Sequence, residues 1–325
     1  MTYLCQMLPE QTQHINDLAR EMTRFLLYFD VFSYPLLKKE LFYYCGMQSG
    51  QEILFEEALT HLIANGMVHE YQGYLTTSTN TGMVERRIKG NKRAASRMRT
   101  ARRYARLISW FPFVRGVFLS GSISKGYMNK TDDIDYFIVT EPDRLWIART
   151  LLTLFKKIFL LNSYRNFCIN YFVDSEHLSV KQRNRFTATE TVFLIPVFGS
   201  EYYAAMLMAN SWTSRYYPVF RQSGDICRDN SPMVKRWLEA IIDRCCADRL
   251  DRAFFIRSSA YIRNKFRDLS VSLFDKCFTL ETFELKYLPR CQQSRIMNRY
   301  NAKKMIFERK FGVSLKAPQR DSQAS

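Results

Sequence analysis

What is missing from the chain narrows it first. None of its eight cysteines (Cys5, Cys45, Cys168, Cys227, Cys245, Cys246, Cys277 and Cys291) form a Cys-x-x-Cys pair. That argues against zinc and makes reduced thiols in a cytoplasmic compartment the expectation. The four histidines, His14, His61, His69 and His177, lack metal-ligand spacing. No apolar run is long enough to span a bilayer: the most apolar helix candidate, Leu145 to Leu161, is interrupted by Arg149, Lys156 and Lys157, so no membrane partner is expected. Met1 to Gln13 has neither a basic start nor a continuous apolar stretch, so no secretory signal is expected. Internal repeats and low-complexity segments are also lacking.

At 325 residues, 47% hydrophobic and 15% aromatic, the chain can build two or three packed domains. Lys and Arg number 48 against 31 Asp and Glu, a formal charge of +17. Such a field favours polyanions and phosphate-rich ligands, though it is equally compatible with simple solubility.

The chemistry concentrates in one stretch. Val117-Phe-Leu is a short apolar run that stops at Gly121, and small residues follow at Ser122, Ser124 and Gly126. The pattern reads as a strand entering a tight turn and a helix start, where backbone N–H groups and the Ser122 hydroxyl favour an anion. Asp132-Asp-Ile-Asp-Tyr-Phe-Ile-Val139 reads as the next strand. Alternation sends Asp133 and Asp135 to one face and Ile134 to the core. Two carboxylates side by side repel unless a cation joins them, and all-oxygen ligation suits Mg or Mn. The glycines Gly121 and Gly126 have P-loop spacing, but Tyr127 and Met128 stand where a P-loop needs Lys and Ser or Thr.

Gly121-Ser122, a gap, and Asp133-Ile134-Asp135 together resemble the nucleotidyltransferase superfamily that includes DNA polymerase β, kanamycin nucleotidyltransferase and the CCA-adding enzymes. The resemblance covers about a tenth of the chain and departs at the residue before Gly121, where Ser120 is small but not apolar. It implies a metal-dependent transferase, with NTP as substrate. Gly121, Ser122, Ser124 and Lys125 would hold the triphosphate, and Asp133 and Asp135 would bind Mg or Mn. A third acidic residue is usual on the following strand, Phe167 to Val173, where this chain has Asn170. An amide oxygen can ligate a metal weakly but cannot act as a general base. Candidates for the base are Asp132, Asp174, Glu176 and Glu190. Glu190 lies at the start of a helix expected from Thr187 to Val197, where it is either the base or a capping-box partner of Thr187.

The fold expected is α+β: a mixed nucleotidyltransferase-type sheet with helices over 113–200, preceded by a winged-helix-like unit over 16–80 and a basic connecting helix over 84–112. A helical domain over 201–315 and a polar tail over 316–325 follow. In the first unit, Leu18, Met22, Phe25 and Phe29 share a helical face, and Met67 to Thr77 fits a hairpin turning at Gln72-Gly73. Its third helix carries Glu52, Glu56 and Glu57 and no Lys or Arg, which favours a docking or scaffold role over DNA reading. Such a unit ahead of the catalytic motif also resembles uncharacterised bacterial nucleotidyltransferase-domain proteins.

Val84 to Arg106 holds ten Lys or Arg against one Glu. Ala94, Met98, Ala101, Ala105 and Ile108 make a narrow apolar stripe along it, so the helix can dock and still present charge. Its outer surface is either a solvated face or a phosphate-tracking surface for RNA or another polyanion. Three functions follow: a nucleotidyltransferase with unknown acceptor, an inactive nucleic-acid-binding protein on the same fold, and a winged-helix regulator.

Overall fold

The computed structural model describes residues 9–161, 165–220, 232–288 and 291–316. They form an α+β protein in two compact units. One gathers the chain as far as Ile88 with Tyr217–Phe220 and the stretch from Ile296, and the other gathers Lys89–Tyr216 with the chain as far as Arg295.

The first unit opens with α1 (Pro9–Asp30), followed by β1 (Leu36–Leu37), α2 (Lys38–Tyr44), α3 (Glu52–Ala64), β2 (His69–Tyr71) and β3 (Tyr74–Thr76). Met22, Phe25 and Phe29 of α1 are buried as their spacing requires. Gln72 and Gly73 both have positive φ (51° and 77°), the backbone of a two-residue hairpin turn whose twist matches its strands. The three strands take the order β1-β3-β2. Asp30, at the end of α1, accepts hydrogen bonds from Thr76 Oγ1 (2.7 Å) and the Thr77 N–H (2.8 Å), which fixes the helix to the hairpin. The acidic α3 surface remains: Glu52, Glu56 and Glu57 are exposed.

The basic helix α4 (Gly82–Ser109) passes from the first unit into the second. After it come β4 (Val114–Ser120), α5 (Gly121–Ser124), β5 (Asp135–Thr140), α6 (Leu145–Phe159), β6 (Cys168–Asp174), α7 (Arg185–Val192), β7 (Ile195–Phe198) and α8 (Ser200–Ala209). Then follow α9 (Met233–Arg244), α10 (Ala247–Lys265), α11 (Val271–Cys277), β8 (Phe278–Leu280), β9 (Glu284–Tyr287) and α12 (Gln292–Phe311). Six strands make a mixed sheet in the order β7-β4-β5-β6-β9-β8, with β5 and β6 parallel and the other pairs antiparallel. A parallel pair needs a crossover, and α6 supplies it.

Alternation along the strands divides the core. Val117, Leu119, Tyr136 and Ile138 face the larger cluster with Ala101, Ala105 and Ile108 of α4 and Leu145, Ala148 and Leu152 of α6. Phe118, Phe137 and Val139 face the other side with Tyr203 and Met206 of α8. On that side Phe118 stacks on Phe137 at 5.9 Å, and Phe137 on Tyr171 at 4.7 Å, an aromatic ladder across three neighbouring strands.

Several expectations are corrected. The helix expected through Val197 stops at Val192, and Ile195–Phe198 is the edge strand β7. Pro196 explains both outcomes: it lacks the N–H an α-helix interior needs, and at a sheet edge that loss is tolerated. The segment read as a helical domain over 201–315 adds the β8–β9 hairpin to the sheet, and its part from Ile296 belongs to the first unit. Cys277 and Cys291 lie side by side, with Cα atoms 4.6 Å apart. Arg257 lies within α10, a neighbour of α9 from which a left-handed Cys246 (φ 76°) separates it.

α9 presents itself in an unusual sense. Its Lys235 is buried and donates to the Ser109 and Val114 carbonyls (2.9 and 2.7 Å), while Glu239 accepts from the Phe113 N–H (2.6 Å) and Arg115 (2.8 Å). Trp237 and Ile241 are exposed. Among the described residues no helix is long and apolar enough to cross a membrane. Of the expected polar tail, all beyond Lys316 lies outside the described residues, as do Cys5 and Cys227.

Candidate functional site

Ser120, the last residue of β4, pairs in register with Asp135, the first of β5. The chain then turns through Gly121 at φ +66°. A Cβ built there would stand 2.3 Å from Asp135 Oδ2, so no side chain other than hydrogen fits, and the turn lies directly against the carboxylate. α5 is a single turn, closed by the Tyr127 N–H on the Ser122 carbonyl (3.2 Å). One turn carries little of the dipole expected of a helix start, so any anion held here depends on individual donors.

Those donors differ in availability. Ser122 is partly exposed. Ser124 is buried and its hydroxyl donates to the Gly121 carbonyl (3.0 Å). This corrects its expected role as a ligand-binding residue: it braces the turn. Lys125 Nζ donates to the same carbonyl (3.0 Å) and pairs with Glu190 Oε2 (3.0 Å).

The loop that follows is anchored on α4. The Tyr127 ring lies where a Cβ on Gly90 would come within 2.2 Å, and the Met128 N–H donates to the Gly90 carbonyl (3.2 Å). Asp132 accepts from the Asn129 N–H (2.8 Å) and so closes the loop. Asp133 lies just before β5, not within it, but the Ile134 N–H and carbonyl bond to Arg165 and Cys168 in strand fashion and Ile134 is fully buried. The expected alternation therefore holds at this edge.

Asn170 reaches the carboxylates through a break in register. Tyr136 pairs with Ile169 and Phe137 with Tyr171, leaving Asn170 as the extra residue of a β-bulge, a device that re-aims side chains. Its amide nitrogen donates to Asp135 Oδ1 (2.8 Å), and its oxygen accepts from the Cys168 thiol (3.5 Å). In this arrangement the amide turns its donor, not its oxygen, toward Asp135. Through this donor Asn170 orients Asp135.

Burial drives the Asp135 carboxyl up to about 7, and the negative charges of Asp133 and Glu190 push it the same way, against a hydrogen bond with Cys168 and the charge of Lys125. Burial likewise pushes the Cys168 thiol up to about 12, with Asp135 adding to the effect. It is a neutral donor at neutral pH. Cys168 went unnoticed in the sequence; its one signal is the i, i+2 spacing that puts it beside Asn170.

Asp174 and Glu176 are excluded as partners. Asp135 pairs with Cys168 at one end of the β5–β6 ladder and Thr140 with Asp174 at the other, about 17 Å away at the rise of a strand. Asp174 instead accepts from the Glu176 and His177 N–H groups and pairs with the His177 ring (2.7 Å). Glu190 is brought in. Its helix is capped by Asn184 with Thr187, which corrects the capping-box reading of Glu190 and leaves its carboxylate facing Lys125.

Among the described residues no three His, Cys, Asp or Glu side chains are grouped to hold a metal. The donor chemistry nevertheless suits one: Asp133, Asp135 and Glu190 place up to three negative charges around the single positive charge of Lys125, and oxygen donors select a hard divalent ion. Of the α4 cations, Arg97 is engaged with Asn166 Oδ1 (2.5 Å) and the Arg165 carbonyl (3.1 Å), and Arg87 is buried against Glu40 (2.6 Å). Neither is part of an outer binding face. Compared with family models, curated proteins and solved structures, the chain has no significant match in any of the three.

Proposed function

We propose that the chain is a metal-dependent nucleotidyltransferase, with a nucleotidyltransferase-type sheet behind a winged-helix-like unit, that moves a nucleoside monophosphate from an NTP to an acceptor. The acceptor oxygen bonds to the α-phosphorus as the bond to pyrophosphate breaks, and the acceptor proton goes to a base. The observation carrying this reading is the closure of Gly121 against Asp135, which joins a turn able to approach phosphate to a carboxylate pair.

In this reading Asp133 and Asp135 hold Mg or Mn, which when bound polarises the phosphate and neutralises charge on the leaving pyrophosphate. The Ser122 hydroxyl donates to the triphosphate. Lys125 exchanges Glu190 for a phosphate oxygen, a stronger partner carrying more charge. Glu190, so released, is the carboxylate that takes the acceptor proton. Asn170 holds Asp135 in place. Positioning and charge neutralisation supply most of the rate.

The test is transfer of label from each α-labelled NTP, with Mg or Mn, to RNA, protein and small-molecule extracts. Transfer by wild type and none by the Asp133→Asn, Asp135→Asn double variant supports the reading; equal transfer by both overturns it. Asn170, where a third carboxylate is usual, favours a second reading, an inactive binding protein on the same fold. It calls for no transfer by wild type and for ligand binding indifferent to Mg.

A further inference from the structure

The outer face of α9 is apolar. Met233, Val234, Trp237, Leu238 and Ile241 recur at helical spacing within about 140° of arc, and all five are exposed, Met233 at 73% and Trp237 at 67%. The opposite face holds Lys235, Glu239 and Ile242, and it is this face that meets the protein. Lys235 and Glu239 bond to the end of α4 and the start of β4, and Ile242 packs on the larger core cluster. The usual sense of an amphipathic helix, apolar side chains inward and polar ones outward, is largely reversed.

Charge decides what such a face fits. Both carboxylates of α9 are engaged within the protein, Glu239 with Arg115 (2.8 Å) and Asp243 with Arg144 (2.9 Å). Arg236 and Arg244, towards the two ends of the stripe, are exposed. A second copy laid on this face would bring arginine towards arginine in a chain of formal charge +17, with no acidic side chain within the stripe to answer them, and like charges across an interface disfavour pairing. A bilayer carrying anionic lipid answers both features. Its acyl boundary takes the apolar side chains and its headgroups take the arginines, whose flexible stems reach up to them. The indole of Trp237, apolar with one polar N–H, suits that boundary as well.

We infer that α9 lies along the surface of a bilayer containing anionic lipid, with Trp237 and Ile241 in the boundary between headgroups and acyl chains and Arg236 and Arg244 at lipid phosphates. A helix lying along a bilayer needs no spanning length, so the expected lack of a membrane partner, which rested on spanning length, does not reach this case. Binding requires none of Asp133, Asp135 or Lys125, and so stands apart from nucleotide transfer.

The test is sedimentation of the full chain with vesicles of phosphatidylcholine alone and of equal parts phosphatidylcholine and phosphatidylglycerol. Wild type is expected to partition onto the anionic vesicles and much less onto the neutral ones. The Trp237→Ser, Ile241→Ser variant, which keeps the charge, is expected to lose tenfold or more in partitioning. Arg236→Ala, Arg244→Ala is expected to lose about fivefold for each arginine, on anionic vesicles alone. Trp237→Phe is expected to retain most of the binding and to lose the shift of tryptophan emission to shorter wavelength that wild type shows on anionic vesicles. An Arg99→Ala, Arg103→Ala variant removes the same charge from exposed positions on α4. If it weakens binding as much as the α9 arginine pair does, or if the serine variant binds as wild type does, the attraction is diffuse and the inference is overturned. It is overturned too if wild type stays in the supernatant, or if analytical ultracentrifugation without lipid shows a wild-type dimer that the serine variant turns into a monomer, which gives the face to a second copy. An unchanged urea midpoint shows that each variant keeps its fold.

Discussion

Gly121 lies directly beneath the carboxylate of Asp135, so that a Cβ on the glycine would stand 2.3 Å from Asp135 Oδ2. The turn and the acid are held as one object by the register of β4 on β5. Gly121→Ala strains the backbone at φ +66° and displaces the carboxylate. The variant is expected to lose about 2 kcal/mol of stability together with all transfer activity. Urea unfolding and the label assay read the two effects.

Asp135 also sets a pH dependence. Its carboxyl rises from an ordinary 3.8 to about 7 in the folded chain, so the folded state binds the proton more tightly than the unfolded one. The stability this contributes is fully present below about pH 4 and is lost as pH rises through 7. Asp135→Asn carries no such loss. In EDTA the variant is expected to melt higher than wild type at pH 8 and to lose that advantage at pH 5. Equal melting temperatures at both pH values would show that the carboxyl ionises freely.

Asn170 stands 2.8 Å from Asp135 and donates to it. Asn170→Asp replaces the donor with a third negative charge beside two others. At pH 7.5 in EDTA the variant is expected to be less stable than wild type, and Mg is expected to raise its melting temperature by more. Tenfold tighter Mg binding corresponds to about 1.4 kcal/mol. An identical Mg response in the two proteins would place the cation away from Asn170.

Lys235 closes the C-terminal end of α4 from a different helix, through the Ser109 and Val114 carbonyls. Lys235→Met leaves both acceptors in a buried place. A loss of about 2 kcal/mol is expected, seen as a lower urea midpoint with the m-value unchanged.

Much of this fold is legible in the sequence because local chemistry agrees with the tertiary outcome. Gln72-Gly73 can form a two-residue hairpin turn, the α4 alanines mark a docking stripe, and Gly121 ends an apolar run where a strand must turn. The failures have physical causes. Thr191 to Val197 is apolar and has no period to separate helix from strand, and only Pro196 speaks against the helix. The strands of β8 and β9 are too short for alternation to register. Asp174 is as acidic as any base should be, but its distance from Asp135 is fixed by pairing between strands far apart in sequence. Ser124 faces inward because α5 ends after one turn, and Asn170 faces Asp135 because of a bulge. Neither leaves a mark in residue type.

The first unit is built from both ends of the chain. Tyr28 of α1 meets Tyr300 of α12 at 5.7 Å, Arg24 donates to the Lys316 carbonyl (2.9 Å), and Phe307 and Leu315 are buried. A ribosome releases α1 long before it makes α12, so this unit waits for α12 to complete its core. A premature stop or a proteolytic nick ahead of Ile296 strips α1 of that packing, and damage written late in the message is felt in a helix made early.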